Sequence, residues 1–490
     1  MKLYKKIKES SILFSVLVMA TTLVSCDKDY LDVGVYGTPE VASFYKTPTD
    51  AEQGLTAAYS PMREMYGREN FLASTSCSLL FGDIGTDDLL KGGARSNDGP
   101  QLFDKETYSL TTSNTAVEAI WKVNYKGILY ANLVLNKVPD IVFTDANRKK
   151  EILAEAHFLR AYYYYYMVYT FGGVPLIDKV LEQGEYDTPR ATKEATYAFI
   201  ENDLKAAILD LPSRFTKPTT FLGHADKGAA LGLMMRVSLY QNKMDQVKTY
   251  GEQLFLMPYV LADFSTIFRQ EGEWNSGSIF EINMSSNANF LGTHMPNMMT
   301  PRSKGGIGFG QIQPSLRNEF EPNDPRFAAS FYNVAGGYGT EWYNKKYSWA
   351  PYSNYSKPTT GGNGNSANNI RVIRLSDAYL MYAEAIYKND PGTAVIYVNK
   401  VRKRARGTQP ITVVPDLPAL LSGDALRDAI YHERRVELAG EGLRFQDLIR
   451  TGRAKTILGP LGFIENKNEI MPIPISQVQL SKNILTQNNY

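Results

Sequence analysis

The chain has 490 residues, 43% of them apolar and 21% charged, with a formal net charge of +2 and two cysteines. A chain of this length can bury a large core, and the usual expectation would be two or three domains. With no excess of basic charge it lacks the counterion-release term that carries most nucleic-acid binding, so nucleic acid is excluded as a partner.

Taken in chain order, Lys2, Lys5, Lys6 and Lys8 form a positive start, and Ile12 to Leu23 form an apolar run that ends in Leu23-Val24-Ser25-Cys26. The run is broken by Ser15, Thr21 and Thr22 and is shorter than the ~20 residues a spanning helix needs, so residues 1–25 read as a removable signal peptide. The tetrapeptide resembles the bacterial lipoprotein signal, and that resemblance implies that Cys26 becomes the first residue, acylated on its thiol and on its freed amine. Several acyl chains on one residue give effectively permanent attachment to a bilayer. Asp27 and Asp29 resemble the acidic stretches that direct Bacteroidetes lipoproteins to the cell surface, with Lys28 interrupting them. Loss of residues 1–25 removes four lysines and Glu9, which takes the formal charge from +2 to −1. Only Cys77 then remains, so no intrachain disulfide can form, and it is expected to be a small buried hydrophobe.

Residues 26–48, with Gly34, Gly37, Pro39 and Pro48, read as a tether. Residues 49–490 form the main domain. An amphipathic helix is predicted from Asp50 to Tyr66, then loop over residues 75–113, then a helix from Ala116 to Val138 closed by Pro139. Further helices are predicted over Asn147–Tyr169 and Thr192–Leu211, the latter with Thr192 as N-cap and Pro212 as stop. Asp226–Tyr240 and the segment up to Met257 form one hairpin about Asn242–Asp245; Leu375–Tyr387 and the segment up to Arg406 form another about Asn389–Gly392. The helical scaffold thus spans about residues 116–260 and 371–450, resembling a degenerate tetratricopeptide pattern. The block from Glu271 to Asn369 is rich in Gly, Asn, Ser and Pro and is too long for a connector, which marks a loop-rich insertion over about residues 271–369. One helix is predicted over Ser422–Arg450, followed by an extended tail from Met471-Pro472-Ile473-Pro474.

Enzymatic signatures are absent or incomplete. There is no Gly-x-Ser-x-Gly elbow; Gly306-x-Gly308-x-Gly310 lacks the spacing of a dinucleotide loop; Gly452-Arg453-Ala454-Lys455-Thr456 is not a phosphate loop. His432-Glu433 begins like a zinc-protease helix, but Val436 stands where the second ligand belongs, and His157, His224 and His294 are scattered. No catalytic residue, metal or cofactor is assigned. Asp83, Asp87 and Asp88 sit in a Gly-flanked loop, where capping, sugar-hydroxyl binding, cation ligation and acid/base work all remain open. Glu433, Glu437 and Glu441 share a helical face among Arg434, Arg435 and Arg444 and read as an ion-pair network. The run Tyr162–Tyr166 cannot form one stacking platform, since successive helical side chains point about 100° apart, and is expected in the core. By contrast Tyr338, Trp342, Tyr343, Tyr347, Trp349, Tyr352 and Tyr355 cluster in a polar loop, where exposed rings could meet the C–H faces of sugars. Trp342, Tyr343, Tyr338, Trp349, Asp83, Asp87, Arg95 and Asn97 are the expected ligand-binding residues, carried by residues 83–97 and 338–349.

Several segments together resemble the SusD/RagB family of Bacteroidetes outer-membrane lipoproteins. They are Trp121-Lys122 to Pro139, Ala154-Glu155-Ala156-His157-Phe158-Leu159-Arg160-Ala161-Tyr162 with Phe171-Gly172-Gly173-Val174-Pro175, and Asn323-Asp324-Pro325-Arg326. Arg374 to Ala385, Val398 to Arg402, His432 to Phe445, Pro472-Ile473-Pro474 and Gln487-Asn488 complete the set. The resemblance implies an all-α, tetratricopeptide-like helical superhelix with a loop-rich ligand-binding lobe. It also implies a non-catalytic role: glycan, oligosaccharide or polysaccharide, held at the cell surface and delivered to a SusC-like TonB-dependent transporter in the outer membrane. A peptide-capturing relative on the same scaffold is the nearest alternative; a glycoside hydrolase and a purely structural transporter subunit are more distant ones.

Overall fold

The computed structural model describes residues 44–490 apart from 68–74, 76, 95, 183, 336–338, 354, 360–361 and 363. Cys26 and nearly all of the tether lie outside the described residues. The chain divides into two units, and every element below belongs to the second, Thr47–Tyr490.

Helices begin where the sequence supplies caps. Thr47 and Asp50 form a reciprocal capping box at the start of α1 (Pro48–Glu64), satisfying amides that a helix start leaves unpaired. Asn114 caps α2 (Thr115–Lys137), Asp145 caps α3 (Ala146–Phe171) and Thr192 caps α4 (Lys193–Asp210). Two hairpins follow, α5 (Lys227–Tyr240) with α6 (Met244–Phe255), and α7 (Leu375–Ile386) with α8 (Pro391–Arg406). Each helix packs on its neighbour: α1 on α2, α2 on α3, α3 on α4, α5 on α6, α6 on α7 and α7 on α8. The result is an all-α, tetratricopeptide-like stack in which no described helix is long and apolar enough to cross a membrane.

The middle of this stack is α3, which is covered on all sides. Tyr162 to Tyr166 are all buried, between 0% and 7% exposed, as the helical spacing predicts. Three of the hydroxyls reach partners at the edges: Tyr163 donates to the Ala58 carbonyl at 2.6 Å, Tyr164 accepts from the Ile177 amide at 2.6 Å, and Tyr166 pairs with Ser78 at 3.0 Å, whereas the Tyr162 hydroxyl is buried without a hydrogen-bond partner among the described residues. Each such partner offsets the cost of burying a hydroxyl. Cys77 is fully buried as expected, and burial pushes its thiol up to about 12.

The motifs that carry the family resemblance turn out to be joints between elements. Arg160 on α3 makes a two-pronged pair with Asp203 on α4 at 2.7 and 2.8 Å and donates to Asn132 on α2 at 2.8 Å, pinning three helices together. Beyond Gly172, Asn488 donates to the Phe171 carbonyl at 3.1 Å and to that of Met471 at 2.6 Å, so the tail closes the end of α3.

Two predicted elements differ in the structure. The helix predicted over Ser422–Arg450 is broken into α9 (Gly423–Glu437) and α10 (Arg444–Arg450), because Gly440 and Gly442 take φ of 71° and 79°, a conformation closed to a continuing helix. Residues 75–113, predicted as loop, contain short helices at Ser78–Phe81 and Pro100–Glu106 and the strand β1 (Leu89–Gly92). These are too short to leave a periodic signal and are held by long-range pairing.

That pairing involves the insertion, which supplies β2 (Ser278–Ile282), β3 (Phe309–Ile312), β4 (Phe331–Asn333) and β5 (Trp342–Asn344), with β6 (Ile370–Arg374) directly after it. Antiparallel pairs form between β1 and β3, β2 and β6, and β4 and β5. Since β2 opens the insertion and β6 runs directly into α7, their pairing returns the chain to the helical stack.

Candidate functional site

The loop-rich lobe stands on a buried lattice of arginines and carboxylates. Arg326, 0% exposed, binds Asp324 at 2.8 Å, Glu433 at 2.5 Å and Glu437 at 3.2 Å. Arg374 binds Glu437 at 2.9 Å and Glu441 at 2.7 Å, and Lys346 reaches Glu441 at 2.7 Å. Burial alone would push the Glu437 carboxyl up, but Arg404, Arg374 and Arg326 outweigh it and hold it well below the usual carboxylate range. The three glutamates do form an ion-pair network, but not on one helical face: Glu441 lies beyond the end of α9, and the partners are Arg326, Arg374, Arg402, Arg404 and Lys346, while Arg434, Arg435 and Arg444 pair with Asp377, Asp88 and Asp87. Each charge there is matched, as burial of an ion requires.

On this base the two segments expected to bind ligand are brought together by β3. Leu90 of β1 stands opposite Gln311 of β3. The Gln311 side chain then donates to the Tyr343 hydroxyl at 3.2 Å and accepts from the Thr340 amide at 3.0 Å. Residues 83–97 and 338–349, more than 240 positions apart, thus meet through one glutamine. Next to this seam Arg302 pairs with Asp98, and Lys91 donates to the Gly92 and Asp98 carbonyls, both at 2.8 Å.

The individual residues separate into rim and floor. Asn97 is exposed and Trp342 partly exposed; the Trp342 ring lies 5.3 Å from the Arg317 guanidinium and 5.2 Å from the Phe327 ring. Tyr338 and Arg95 lie outside the described residues. Tyr343 and Trp349 are each 2% exposed, so their ring faces pack inside the lobe, contrary to the expectation that they meet ligand. Tyr347 and Tyr355 are buried with them.

Asp83 and Asp87 also need correcting. Asp83 is 1% exposed and accepts the Gly442 and Arg444 amides at 2.8 and 2.9 Å; burial and the neighbouring Asp88 charge push its carboxyl up to about 7. Asp87 is gripped by Arg444 at 2.9 and 2.7 Å. Both carboxylates bolt the start of the candidate loop to the turn between α9 and α10, leaving no free oxygen edge for sugar hydroxyls. Among the described residues no group of His, Cys, Asp and Glu could hold a metal ion.

Sequence reading missed Arg302, Arg317 and Gln311. None belongs to a motif, and Gln311 becomes central only because three segments converge on it.

Comparison with known proteins agrees with this architecture. The family description "SusD family" matches residues 267–490, and "Starch-binding associating with outer membrane" matches residues 29–239, which places the family at the outer membrane. SusD-like protein P38 of Formosa agariphila is 26% identical, with 96% of each chain covered. A solved laminarin binding SusD-like protein is 31% identical with a TM-score of 0.79, covering 91% of this chain and 100% of that one. Surface glycan-binding protein A from Bacteroides fluxus is 26% identical with a TM-score of 0.78, covering 91% and 99%. Fold and relatives define the class: a binding protein without catalytic function. The chain belongs to the SusD/RagB family.

Proposed function

We propose that this protein is a surface glycan-binding lipoprotein, anchored through Cys26, that captures oligosaccharide and delivers it to a SusC-like TonB-dependent transporter. The observation that carries the reading is the match, at 31% identity over 100% of its partner's length, to a solved laminarin binding SusD-like protein. The rim supports it: Trp342 offers a partly exposed ring flanked by a guanidinium, with exposed Asn97 on the paired segment. A flat apolar face beside amide and guanidinium donors suits a sugar ring. Tyr338 and Arg95 are proposed as ligand-binding residues from the sequence alone.

Calorimetry against laminarin, starch and a peptide panel tests this. Binding to a glycan without shortened products is expected, and Trp342→Ala should weaken it by about tenfold, roughly 1.4 kcal/mol, while leaving the melting temperature unchanged. Release of shortened sugars would establish a hydrolase, and affinity for peptides alone the peptide-capturing alternative. Cys26→Ser should shift the protein from the membrane to the soluble fraction; retention on the membrane would refute the anchor. Co-purification of native protein with a TonB-dependent barrel from outer membranes checks the hand-over.

A further inference from the structure

A concavity of about 360 Å³ lies between α1, the turn at residues 219–224, β2 and the loop that ends at Leu291. It shares no residue with the rim formed by Ala94, Ser96, Asn97, Asp98, Arg302 and β5. Its size falls within the range of about 300–1,000 Å³ typical of small-molecule sites, and its walls combine apolar surface with a few convergent polar groups. Thr56, Ser60 and Arg63 contribute these from α1, Thr220 and His224 from the turn, and Asn283 from just past the end of β2.

The arrangement is built rather than incidental. His224 is fixed by its Nδ1, 2.7 Å from Glu155 Oε2, and by stacking on Phe221 with ring centres 4.9 Å apart and planes 12° apart. Its Nε2 has no hydrogen-bond partner among the described residues, and the ring lines the pocket. Burial lowers the imidazole's affinity for a proton, but the hydrogen bond and charge of Glu155 outweigh this and raise it. Tyr59 is held at its hydroxyl, which donates to Glu155 at 2.6 Å and accepts from the Ala225 amide at 2.7 Å. The ring, not the hydroxyl, is therefore left to line the pocket. Asn283 is braced by Trp274 Nε1 at 2.7 Å and by the Leu222 carbonyl at 2.9 Å. At the lip, Phe290 and Leu291 remain 51% and 39% exposed, while Arg63 donates to the Phe290 carbonyl.

We propose that this pocket is a second carbohydrate subsite, taking one or two pyranose rings against Tyr59, with His224, Arg63 and the Thr56, Ser60 and Thr220 hydroxyls addressing the sugar hydroxyls. This rests on the glycan-binding reading above and adds a site to it. Preformed aromatic walls and immobilised donors reduce the ordering cost of binding, and two separated subsites let one polymer be held at both, which raises avidity without new contacts.

Hydrogen–deuterium exchange of the full chain with laminarihexaose tests it. Protection is expected at residues 56–63 and 219–225 as well as at 94–98. Thr220→Trp, which plugs the mouth from an exposed position, should abolish protection at the first two segments, preserve it at the third and lower affinity for the hexasaccharide about tenfold. Thr56→Trp plugs the opposite wall and should reproduce this if Thr220→Trp disturbs folding. Protection confined to 94–98 in the wild type, or full affinity in both plugged variants, overturns the second subsite and leaves the rim reading standing. An absence of protection everywhere, with laminarihexaose, maltohexaose and cellohexaose alike, overturns both.

Discussion

Replacing Arg326 with alanine is expected to destabilise the protein by about 3–5 kcal/mol, because it strands a carboxylate that was buried only on condition of being paired. Arg326 is 0% exposed and reaches Asp324, Glu433 and Glu437. Without the guanidinium Asp324 loses its cation, while Glu433 keeps Arg402 at 2.8 Å and Glu437 keeps Arg374 at 2.9 Å, so the cost falls on a buried carboxylate left unpaired and on a weakened lattice between lobe and scaffold. The expected observation is a marked fall in the urea midpoint, with Lys455→Ala as a control that leaves it in place, since the Lys455–Glu465 pair is exposed on both sides. The wild type should also be acid-sensitive through the same lattice. Glu437 is held well below the usual range, so its contribution is complete above its unfolded pKa of about 4.3 and is lost as pH falls through the depressed folded value. A midpoint that moves by less than the equivalent of about 1 kcal/mol in Arg326→Ala would show that the lattice does not hold the lobe in place.

Gly442→Val is expected to cost about 3 kcal/mol or more and to remove glycan binding with it. Gly442 has a φ of 79°, and a Cβ there would lie 2.1 Å from the Ser78 carbonyl oxygen; a Cβ on Gly82 would lie 2.0 Å from the Gly442 carbonyl oxygen. These two glycines let the turn after α9 lie directly on the segment that ends at Asp83, where the Gly442 amide closes the contact at 2.8 Å. A valine must push the two backbones apart, which releases the root of the loop that carries Asn97. Thermal unfolding and calorimetry on the same sample measure both effects. Full stability would refute the steric argument, and loss of stability with undiminished affinity, measured well below the melting temperature, would separate the loop root from the binding rim.

The scaffold was legible in the sequence because its determinants are local. N-caps such as Thr192, stops such as Pro139 and Pro212, and the three- and four-residue spacing of apolar side chains act within one helix, and the structure places elements close to the predicted ones. The burial of Tyr162–Tyr166 followed from the same periodicity. The break between α9 and α10 was missed because α9 and α10 are both strongly helical, and the sequence between them does not reveal that Gly440 and Gly442 adopt positive φ. That depends on how closely Ser78 approaches.

The candidate site divides along the same line. Composition separated an aromatic, Gly-rich insertion from the helical stack, and composition together with the general location of variable loops that the family resemblance implies pointed to residues 83–97 and 338–349. It could not distinguish rim from floor: Trp342 and Tyr343 are adjacent in the chain, yet one is partly exposed and the other 2% exposed, because successive residues of a strand face opposite ways. Nor could it show that Asp83 and Asp87 are consumed by Gly442 and Arg444, more than 350 residues away. The sequence by itself therefore determined the helical class and the family resemblance, both of which are encoded in short-range patterns. Only the tertiary structure decided which side chains remain open to a ligand, because exposure is set by distant segments that compete for the same polar atoms and the same space.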